Sequence, residues 1–370
     1  MLRNRRGLMA WSVSIVAAAL LAACGGGDSI RSVRVMGDSL ADAGTFGLKF
    51  TIQGQDIFPE RVSQAYGLGK GCNFFASNGA SFTTNAACTN YAVGGGVINP
   101  TASGMTAQDP RGLPVQFAAA GSFSSEDLLL VDGGANDAAT LVGAYLAAAQ
   151  DGGAAYAGVL GTLLTPAEVG AAAAGGQAGL AQAGATYMTA LANRMADLIE
   201  TQAIAKGAER VVLINVPGIT NTPRFQFVLA GIEAAAGPAA RPQSEALFDG
   251  WVKAFNARLA ARVAGNPKIV LIDFYGELNR WIASPAQYGL TNVRQTACPI
   301  TGQGSDGLPT YTFATCTMTA LAANPPAGAT GGADWYKTWL FSDSFHPTGT
   351  VHELAAQVII RALKSAGWMG

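Results

Sequence analysis

A serine near the start of this chain and a histidine near its end each stand in a short motif that could serve nucleophilic catalysis. Ser39 lies in Gly-Asp-Ser-Leu, directly after the apolar run of residues 32–36. A serine hydroxyl becomes a useful nucleophile only when a base removes its proton. Residues after Ser39 are compatible with a helix, whose first N–H groups would favour an oxyanion. Ser39 could equally be the cap of that helix, so other residues must decide.

The base must be a histidine, and the chain contains only two. His352 falls within the last predicted helix, residues 352–365, where a packed or solvated helical residue is expected. His346 precedes that helix in Asp-Ser-Phe-His, three residues after Asp343. A carboxylate at this spacing can accept the Nδ1–H of the imidazole and orient Nε2 towards the serine. The alternative is that Asp343 caps the helix and His346 is simply exposed.

Two glycine-rich segments could supply N–H groups to an oxyanion. Residues 133–137 read Gly-Gly-Ala-Asn-Asp, in which Asn136 carries an amide donor. Residues 90–96 read Asn-Tyr-Ala-Val-Gly-Gly-Gly and offer free backbone N–H groups. Each segment alone could be an ordinary turn. Several such segments in this order, together with the serine and histidine motifs, favour a catalytic site.

The elements that must position these residues are visible as an alternation of strand and helix patterns. Short, continuous apolar runs predict buried strands at residues 32–36, 127–132, 210–216 and 268–274. Helical patterns between and after them cover residues 180–206, 245–264 and 352–365. This order predicts a parallel sheet between two layers of helices. Ligand sites in such folds lie at the carboxyl ends of the strands.

Two further regions have weaker patterns. Residues 138–184 are rich in alanine and glycine and are expected to form helices near the mouth of the site. Residues 218–243 are expected to be a surface excursion. An acyl-binding pocket is expected in residues 138–184 or around Phe225–Phe227.

Composition narrows the classes of function. Charged residues make up 13% of the chain and the net charge is −1, which gives no indication of a nucleic-acid partner. The cysteine and histidine spacing fits no zinc site, so no metal is expected. Residues 302–307 match a dinucleotide-binding pattern but are expected to be a turn, because they lie between Cys298 and Cys316 with no strand–helix context.

The amino terminus has the pattern of a targeting segment. Three arginines precede an apolar run at residues 8–21, which is short for a membrane span. Leu-Ala-Ala-Cys at residues 21–24 resembles a bacterial lipobox. We therefore expect a signal peptide at 1–23, a lipidated Cys24 with a tether over 24–29, and a single domain at 30–370. An ordinary signal peptide is the alternative. Gly25 after the cysteine resembles the pattern of lipoproteins sorted to the outer membrane.

The other four cysteines allow three pairings. The simplest are the two short-range pairs, Cys72–Cys88 and Cys298–Cys316. Export to an oxidising compartment would make both disulfides stable.

Taken together, four blocks resemble the signature of the SGNH, or GDSL, family of lipases and esterases. They are GDSL at 37–40, NYAVGGG at 90–96, GAND at 134–137 and DSFH at 343–346. The chain looks most like the bacterial secreted branch of lipases, phospholipases and haemolysin-like esterases, in a lipoprotein form. The resemblance implies a flavodoxin-like three-layer α/β/α sandwich with a central parallel sheet.

The resemblance also implies roles for individual residues. Ser39 would be the nucleophile, His346 the base and Asp343 the group that orients it. The oxyanion hole would consist of the Ser39 N–H, a glycine N–H and the Asn136 side chain. We place the glycine donor at Gly95, with Gly94 as the alternative.

The expected function is therefore hydrolysis of carboxylic esters through an acyl-enzyme, with no cofactor. The substrate would be a small-molecule or lipid ester, and the protein a monomer held at the bacterial outer membrane by its lipid. Alternatives on the same site are an acyltransferase or a polysaccharide O-acetylesterase. A non-catalytic surface lipoprotein is an alternative of a different class.

Overall fold

The structure, a computed structural model, describes residues 29–370. The predicted signal peptide, Cys24 and the tether as far as residue 28 lie outside the described residues. The strands are β1 Ser32–Met36, β2 Phe75–Ser77, β3 Phe82–Thr84, β4 Asp127–Val131, β5 Val211–Ile214, β6 Ile269–Ile272, β7 Asn292–Thr296, β8 Ile300–Gln303, β9 Pro309–Tyr311 and β10 Trp339–Phe341. The α-helices are α1 Phe58–Ala65, α2 Leu113–Ala120, α3 Ala135–Asp151, α4 Ala154–Leu160, α5 Pro166–Ala174, α6 Gly176–Leu198, α7 Pro223–Ala236, α8 Ala240–Val263, α9 Phe274–Ala283, α10 Met318–Ala323 and α11 Gly349–Ser365.

The central sheet consists of the strands that the apolar runs predicted. Within the described chain its order is β1-β4-β5-β6, and all pairs are parallel. On the other side of β1, Val35 forms a parallel bridge with Asn90. The segment that leads into the Gly94–Gly96 loop therefore lies beside β1.

Alternate residues of each strand face opposite layers, because side chains in a strand alternate. In β4, Leu128 and Leu130 pack in the cluster that contains α1, α9 and α11 residues. Leu129 and Val131 pack in the larger cluster on the other face, which contains α2, α3, α6 and α8 residues. This arrangement confirms the predicted three-layer α/β/α sandwich with a central parallel sheet.

The helix predictions were right in kind but not in every boundary. The interpretation of residues 218–243 as a surface excursion is wrong, since α7 occupies most of it. Phe225 and Leu229 of α7 are buried, and their spacing of four residues places them on one helix face. The helix predicted at residues 180–206 leaves α-helical geometry after Leu198 and continues as a π-helical turn at Ile199–Ala203.

Disulfides close two loops of the described chain. One joins Cys72 to Cys88 around the β2–β3 hairpin, and the other joins Cys298 to Cys316 around the β8–β9 hairpin. These are the short-range pairings that the sequence favoured. Residues 302–307, which resemble a dinucleotide-binding pattern, span the end of β8 and the turn of its hairpin.

Of the helices in residues 29–370, none combines the length and the apolar character that crossing a bilayer requires.

His352 joins the start of α11 to the start of α1. Its ring is 1% exposed, and its Nδ1 accepts the backbone N–H of Phe58 at 3.4 Å. That bond places the ring proton on Nε2. Burial, assisted by the charges of His346, Arg61 and Lys49, lowers the pKa of His352 to about 3. The ring is therefore neutral at physiological pH, and His352 is a packed helical residue.

This buried imidazole makes stability depend on pH in a definite direction. In the unfolded chain His352 binds a proton below its ordinary pKa of 6.5, whereas in the folded chain it stays neutral down to a pH of about 3. The contribution of His352 to the free energy of unfolding is therefore highest above pH 6.5 and decreases as the pH falls below that value. We expect His352→Gln, which never titrates, to gain about 2 kcal/mol of unfolding free energy relative to the native protein between pH 7 and pH 5. Urea unfolding of both proteins at the two pH values measures this. A difference between them that does not change with pH would contradict it.

Candidate active site

Ser39 lies at the carboxyl end of β1, in a single tight turn. The carbonyl of Asp38 accepts the N–H groups of Ala41 and Asp42 at 3.1 and 3.0 Å, but no helix continues from there. The expected helix after Ser39 is therefore wrong. The physical reason is that side chains accept the next backbone N–H groups: Asn73 accepts that of Ala43 at 3.1 Å, and Asp42 accepts those of Gly44 and Thr45 at 2.9 and 2.7 Å. Since no helix of the described chain begins at Ser39, a helix dipole does not contribute to the electrostatics of this serine.

The peptide before Ser39 is held on both sides. Gln116 of α2 accepts the N–H of Gly37 at 2.8 Å and donates to its carbonyl at 3.0 Å. Asp132, directly after β4, accepts the N–H of Asp38 at 3.2 Å. A Cβ at position 37 would overlap the Asp132 carboxyl group, so only glycine fits there. These contacts fix the direction in which Ser39 leaves the sheet.

Ser39, His346 and Asp343 form a continuous hydrogen-bonded chain. The Oγ of Ser39 lies 2.7 Å from Nε2 of His346. On the other edge of the ring, Nδ1 lies 2.8 Å from Oδ2 and 3.0 Å from Oδ1 of Asp343. All three residues are at least partly buried, with the His346 side chain 12% exposed. Residues that are 307 positions apart in sequence are therefore in direct contact.

The loop after β10, which carries Asp343 and His346, is held by hydrogen bonds within the loop itself. Oδ1 of Asp343 accepts the backbone N–H groups of Phe345 and His346 at 2.8 and 2.6 Å. The carbonyl of His346 accepts both the N–H and the hydroxyl of Ser342, at 2.8 and 3.0 Å. The Phe50 ring packs over the imidazole, with centroids 5.2 Å apart. Asp343 thus holds the backbone as well as the ring of His346.

The three expected oxyanion donors all retain a free N–H. Among residues 29–370 neither the Ser39 nor the Gly95 backbone N–H has an acceptor. Asn136, in the first turn of α3, uses one amide hydrogen on the carbonyl of Gly96 at 3.0 Å, which leaves the second hydrogen unused. The N–H of Gly94, the alternative donor, is occupied by Asp42 at 2.7 Å. The hydrogen bonding therefore favours Gly95 over Gly94.

The glycine loop, residues 94–96, packs closely against the turn that carries Ser39. A Cβ at Gly96 would lie 2.9 Å from the Asp38 Cα, and one at Gly94 would overlap the Phe50 ring. Gly95 has a φ of 78°, a conformation that glycine adopts without strain. Backbone in this loop can thus approach a bound substrate more closely than side chains would permit.

Two buried carboxylates that the sequence analysis did not single out hold this loop. Asp42 accepts the N–H of Gly94 and, at 2.7 Å, the side-chain amide of Asn73. Asp137 accepts the N–H groups of Ile98 and Asn99 at 3.0 and 2.9 Å. Burial raises the pKa of Asp137 to about 6 in spite of these bonds. Asp137 is the last residue of the GAND block and Asp42 follows the GDSL block by two residues, so both lie in or next to a motif that the sequence analysis used.

Asp38, which precedes Ser39, and Asp132, which accepts the Asp38 N–H, are two further buried carboxyl groups next to the site. Burial raises the pKa of Asp38 to about 6. Burial and the neighbouring charge of Asp38 also raise the pKa of Asp132.

An apolar cavity and a polar depression adjoin the site. The cavity has a volume of about 60 Å³ and includes Ser39 and His346 in its lining. The depression includes Gly95, Asn136 and Arg224. Phe345 contributes to both. Among residues 29–370, no three histidine, cysteine or acidic side chains lie close enough together to hold a metal ion.

Comparison with known proteins identifies the family. A family model described as GDSL-like Lipase/Acylhydrolase matches residues 33–359, from β1 into α11. A search of curated proteins found no match. The matched span contains every residue of the Ser39 site described above. The chain belongs to the GDSL-like lipase/acylhydrolase family.

Proposed function

We propose that this protein is a serine esterase that hydrolyses carboxylic esters through an acyl-enzyme on Ser39. The observation that carries the proposal is the 2.7 Å contact between Ser39 Oγ and His346 Nε2, with Asp343 on the opposite edge of the ring. Nucleophile, base and orienting acid within hydrogen-bond reach are the arrangement that activates a serine. Membership of the GDSL-like lipase/acylhydrolase family supports ester hydrolysis as the general reaction.

In the first half-reaction His346 Nε2 takes the proton of Ser39 as Oγ bonds to the acyl carbon. The carbonyl oxygen becomes an oxyanion, and the imidazolium is stabilised by Asp343. When the oxyanion collapses, the bond from carbon to the alcohol oxygen breaks. The departing alcohol takes the proton from Nε2, which leaves an ester on Ser39.

Water completes the cycle by the same proton transfers. His346 Nε2 takes a proton from water while the hydroxide oxygen bonds to the acyl carbon. Collapse of this second oxyanion breaks the bond to Ser39 Oγ, which recovers its proton from Nε2 and releases the carboxylic acid. No step needs a cofactor.

The N–H groups of Ser39, Gly95 and Asn136 are the proposed stabilisers of both oxyanions. Fixed donors of this kind account for much of the rate that acyl-transfer enzymes achieve. Their free hydrogens support this assignment, since each donor is held in place yet has hydrogen-bonding capacity left.

We also propose that the chain is exported and anchored by a lipid on Cys24, at the bacterial outer membrane. The basic and apolar amino-terminal pattern and the lipobox-like residues 21–24 support this. Disulfides at Cys72–Cys88 and Cys298–Cys316 fit an oxidising compartment.

Replacing the nucleophile tests the reaction directly. We expect Ser39→Ala to lower kcat for p-nitrophenyl esters by about 10⁴-fold or more, because no other step can form the acyl-enzyme. Ser32→Ala is the matched control, since it removes a buried hydroxyl from β1 without touching the site. Esterase rates and fluorophosphonate labelling of the purified proteins measure the effect. Activity retained by Ser39→Ala, or lost equally in Ser32→Ala, would refute the assignment.

Asn136 tests the oxyanion site. We expect Asn136→Ala to lower kcat by about 10²–10³-fold with little change in KM, because the donor acts mainly on the oxyanion. Asn136→Asp, which keeps the shape but replaces the donor with an acceptor, should lose at least as much. Steady-state kinetics of both variants, with thermal unfolding as a check on folding, measure this. A kcat within threefold of the native value would show that Asn136 is not a donor.

Labelling tests the anchor. We expect the native chain expressed in bacteria to incorporate radiolabelled palmitate and to partition into detergent, and Cys24→Ser to do neither. Ser39→Ala keeps Cys24 and should be labelled like the native protein. Label in Cys24→Ser, or its absence from the native chain, would contradict lipidation at Cys24.

A further inference from the structure

Phenylalanine rings pack around the imidazole of His346. The centroid of the Phe50 ring lies 5.2 Å from that of the imidazole, and the two planes are inclined by 36°, closer to a stacked than to an edge-on arrangement. The rings of Phe313 and Phe345 lie 5.8 and 5.9 Å away, at 69° and 75° to the imidazole plane. One ring precedes α1, one belongs to the loop of the second disulfide, and one lies beside the histidine. The proposed base therefore packs against aromatic rings from three separate segments.

We propose that Phe50 is a positioning residue that stabilises the positive charge of His346 during acyl transfer. The proposal rests on the serine esterase function proposed above and adds a group to its mechanism. The face of a phenyl ring carries partial negative charge and attracts a cation within about 6 Å of the ring centroid. His346 acquires its positive charge when it takes the proton of Ser39. The attraction is therefore strongest while the oxyanion exists, and an interaction of that kind raises kcat.

Phe50 suits this role better than the other two rings. The guanidinium group of Arg224 lies 5.7 Å from the Phe345 centroid, so that ring already interacts with a cation. Phe313 is steeply inclined both to the imidazole and to Phe50, whose centroid is 5.6 Å away. Within residues 29–370 no lysine or arginine lies over the Phe50 ring. The face of this ring is therefore available to the imidazolium.

Hydrogen bonds from the segment of Phe50 keep its ring beside the imidazole. The hydroxyl of Thr51, a fully buried residue, donates to the carbonyl of Pro347 at 2.9 Å. The N–H of Gln53 donates to the carbonyl of Cys316 at 2.8 Å. The first bond joins this segment to the residue that follows the base, and the second joins it to the end of the disulfide loop. The three segments that carry the rings are therefore held together.

The ionisable groups that face His346 stay unchanged when only Phe50 is altered. Asp343 lies 2.8 Å from Nδ1 of the imidazole. The Asp38 carboxyl group lines the same cavity as the imidazole and interacts with its charge. His352 also lines that cavity and is neutral at physiological pH. Because a phenyl ring does not titrate, its electron density can be altered while each of these groups remains in place.

Fluorination of the ring tests the proposal, because fluorine withdraws negative charge from the ring face and is only slightly larger than hydrogen. We expect kcat for a p-nitrophenyl ester to fall stepwise as Phe50 of the full chain is replaced by mono-, di- and trifluorinated phenylalanine. The trifluorinated protein should have a kcat about fivefold below the native value, with KM within about twofold. Phe50→Leu, which removes the ring, should lower kcat by about tenfold. Steady-state kinetics, with thermal unfolding as a check on folding, measure this.

Two controls separate the charge of the ring face from its shape. Phe46 packs edge-on against Phe50, with centroids 6.2 Å apart, and the same fluorinated series at Phe46 should leave kcat within about twofold. A Cβ on Gly94 would overlap one edge of the Phe50 ring, so the effect of added bulk depends on its place on that ring. Isomers with the same number of fluorines at Phe50 should therefore have equal kcat, whereas a steric effect would differ between them.

The outcomes separate the two proposals. A kcat that does not change with the number of fluorines at Phe50, that depends on their position, or that changes equally in the Phe46 series would overturn the role of Phe50 while leaving the esterase in place. Absence of hydrolysis and of fluorophosphonate labelling in the native protein would overturn the esterase itself. If Phe50→Leu does not fold, the fluorinated proteins still decide, since they keep the ring and its packing.

Discussion

The loop that carries Gly95 depends on two buried carboxyl groups. Residues 94–96 have no side chains, so packing alone cannot fix their backbone. Asp42 holds the loop through the Gly94 N–H, and Asp137 holds the residues after it through Ile98 and Asn99. Asp42 belongs to the turn of Ser39 and Asp137 to the first turn of α3, so this turn, the glycine loop and the start of α3 form one hydrogen-bonded unit. These bonds act together with those of Gln116 and Asp132 to the peptide before Ser39, and with the bond of Asn136 to the Gly96 carbonyl, to position the proposed oxyanion donors.

Most of the sheet and the main site residues could be predicted from sequence. Runs such as DLLLV at 127–131 are apolar at every position because both faces of a central strand are covered. Ser39 and Asn136 follow apolar runs, and His346 precedes a helix. The carboxyl ends of parallel strands lie at the same edge of the sheet, so residues that follow two such strands are expected to be close together. Asp343 could be predicted from sequence because it lies only three residues before His346, the residue it contacts. Local patterns are sufficient where the geometry itself is local or repeats along the sheet.

What the sequence could not give depends on contacts between distant segments. Gln116 looks like any polar residue of α2, and only its position against Gly37 reveals that it fixes the peptide before the nucleophile. The choice between Gly94 and Gly95 depends on which N–H meets Asp42. A helix was expected after Ser39 because the residues permit one, but the side chains of Asn73 and Asp42 accept the next backbone N–H groups and end the turn. The cavity lining comes from separate helices whose packing no local pattern reveals.

The direction of β1 places the amino-terminal end of the described chain and the nucleophile at opposite edges of the sheet. Ser29 lies just before β1, at the amino-terminal edge of the sheet, whereas Ser39 lies at the opposite edge. Five residues of strand separate the two edges by about 17 Å. The lipid anchor proposed above would therefore attach at the edge of the sheet opposite Ser39, so that the point of attachment and the nucleophile would lie at opposite ends of β1.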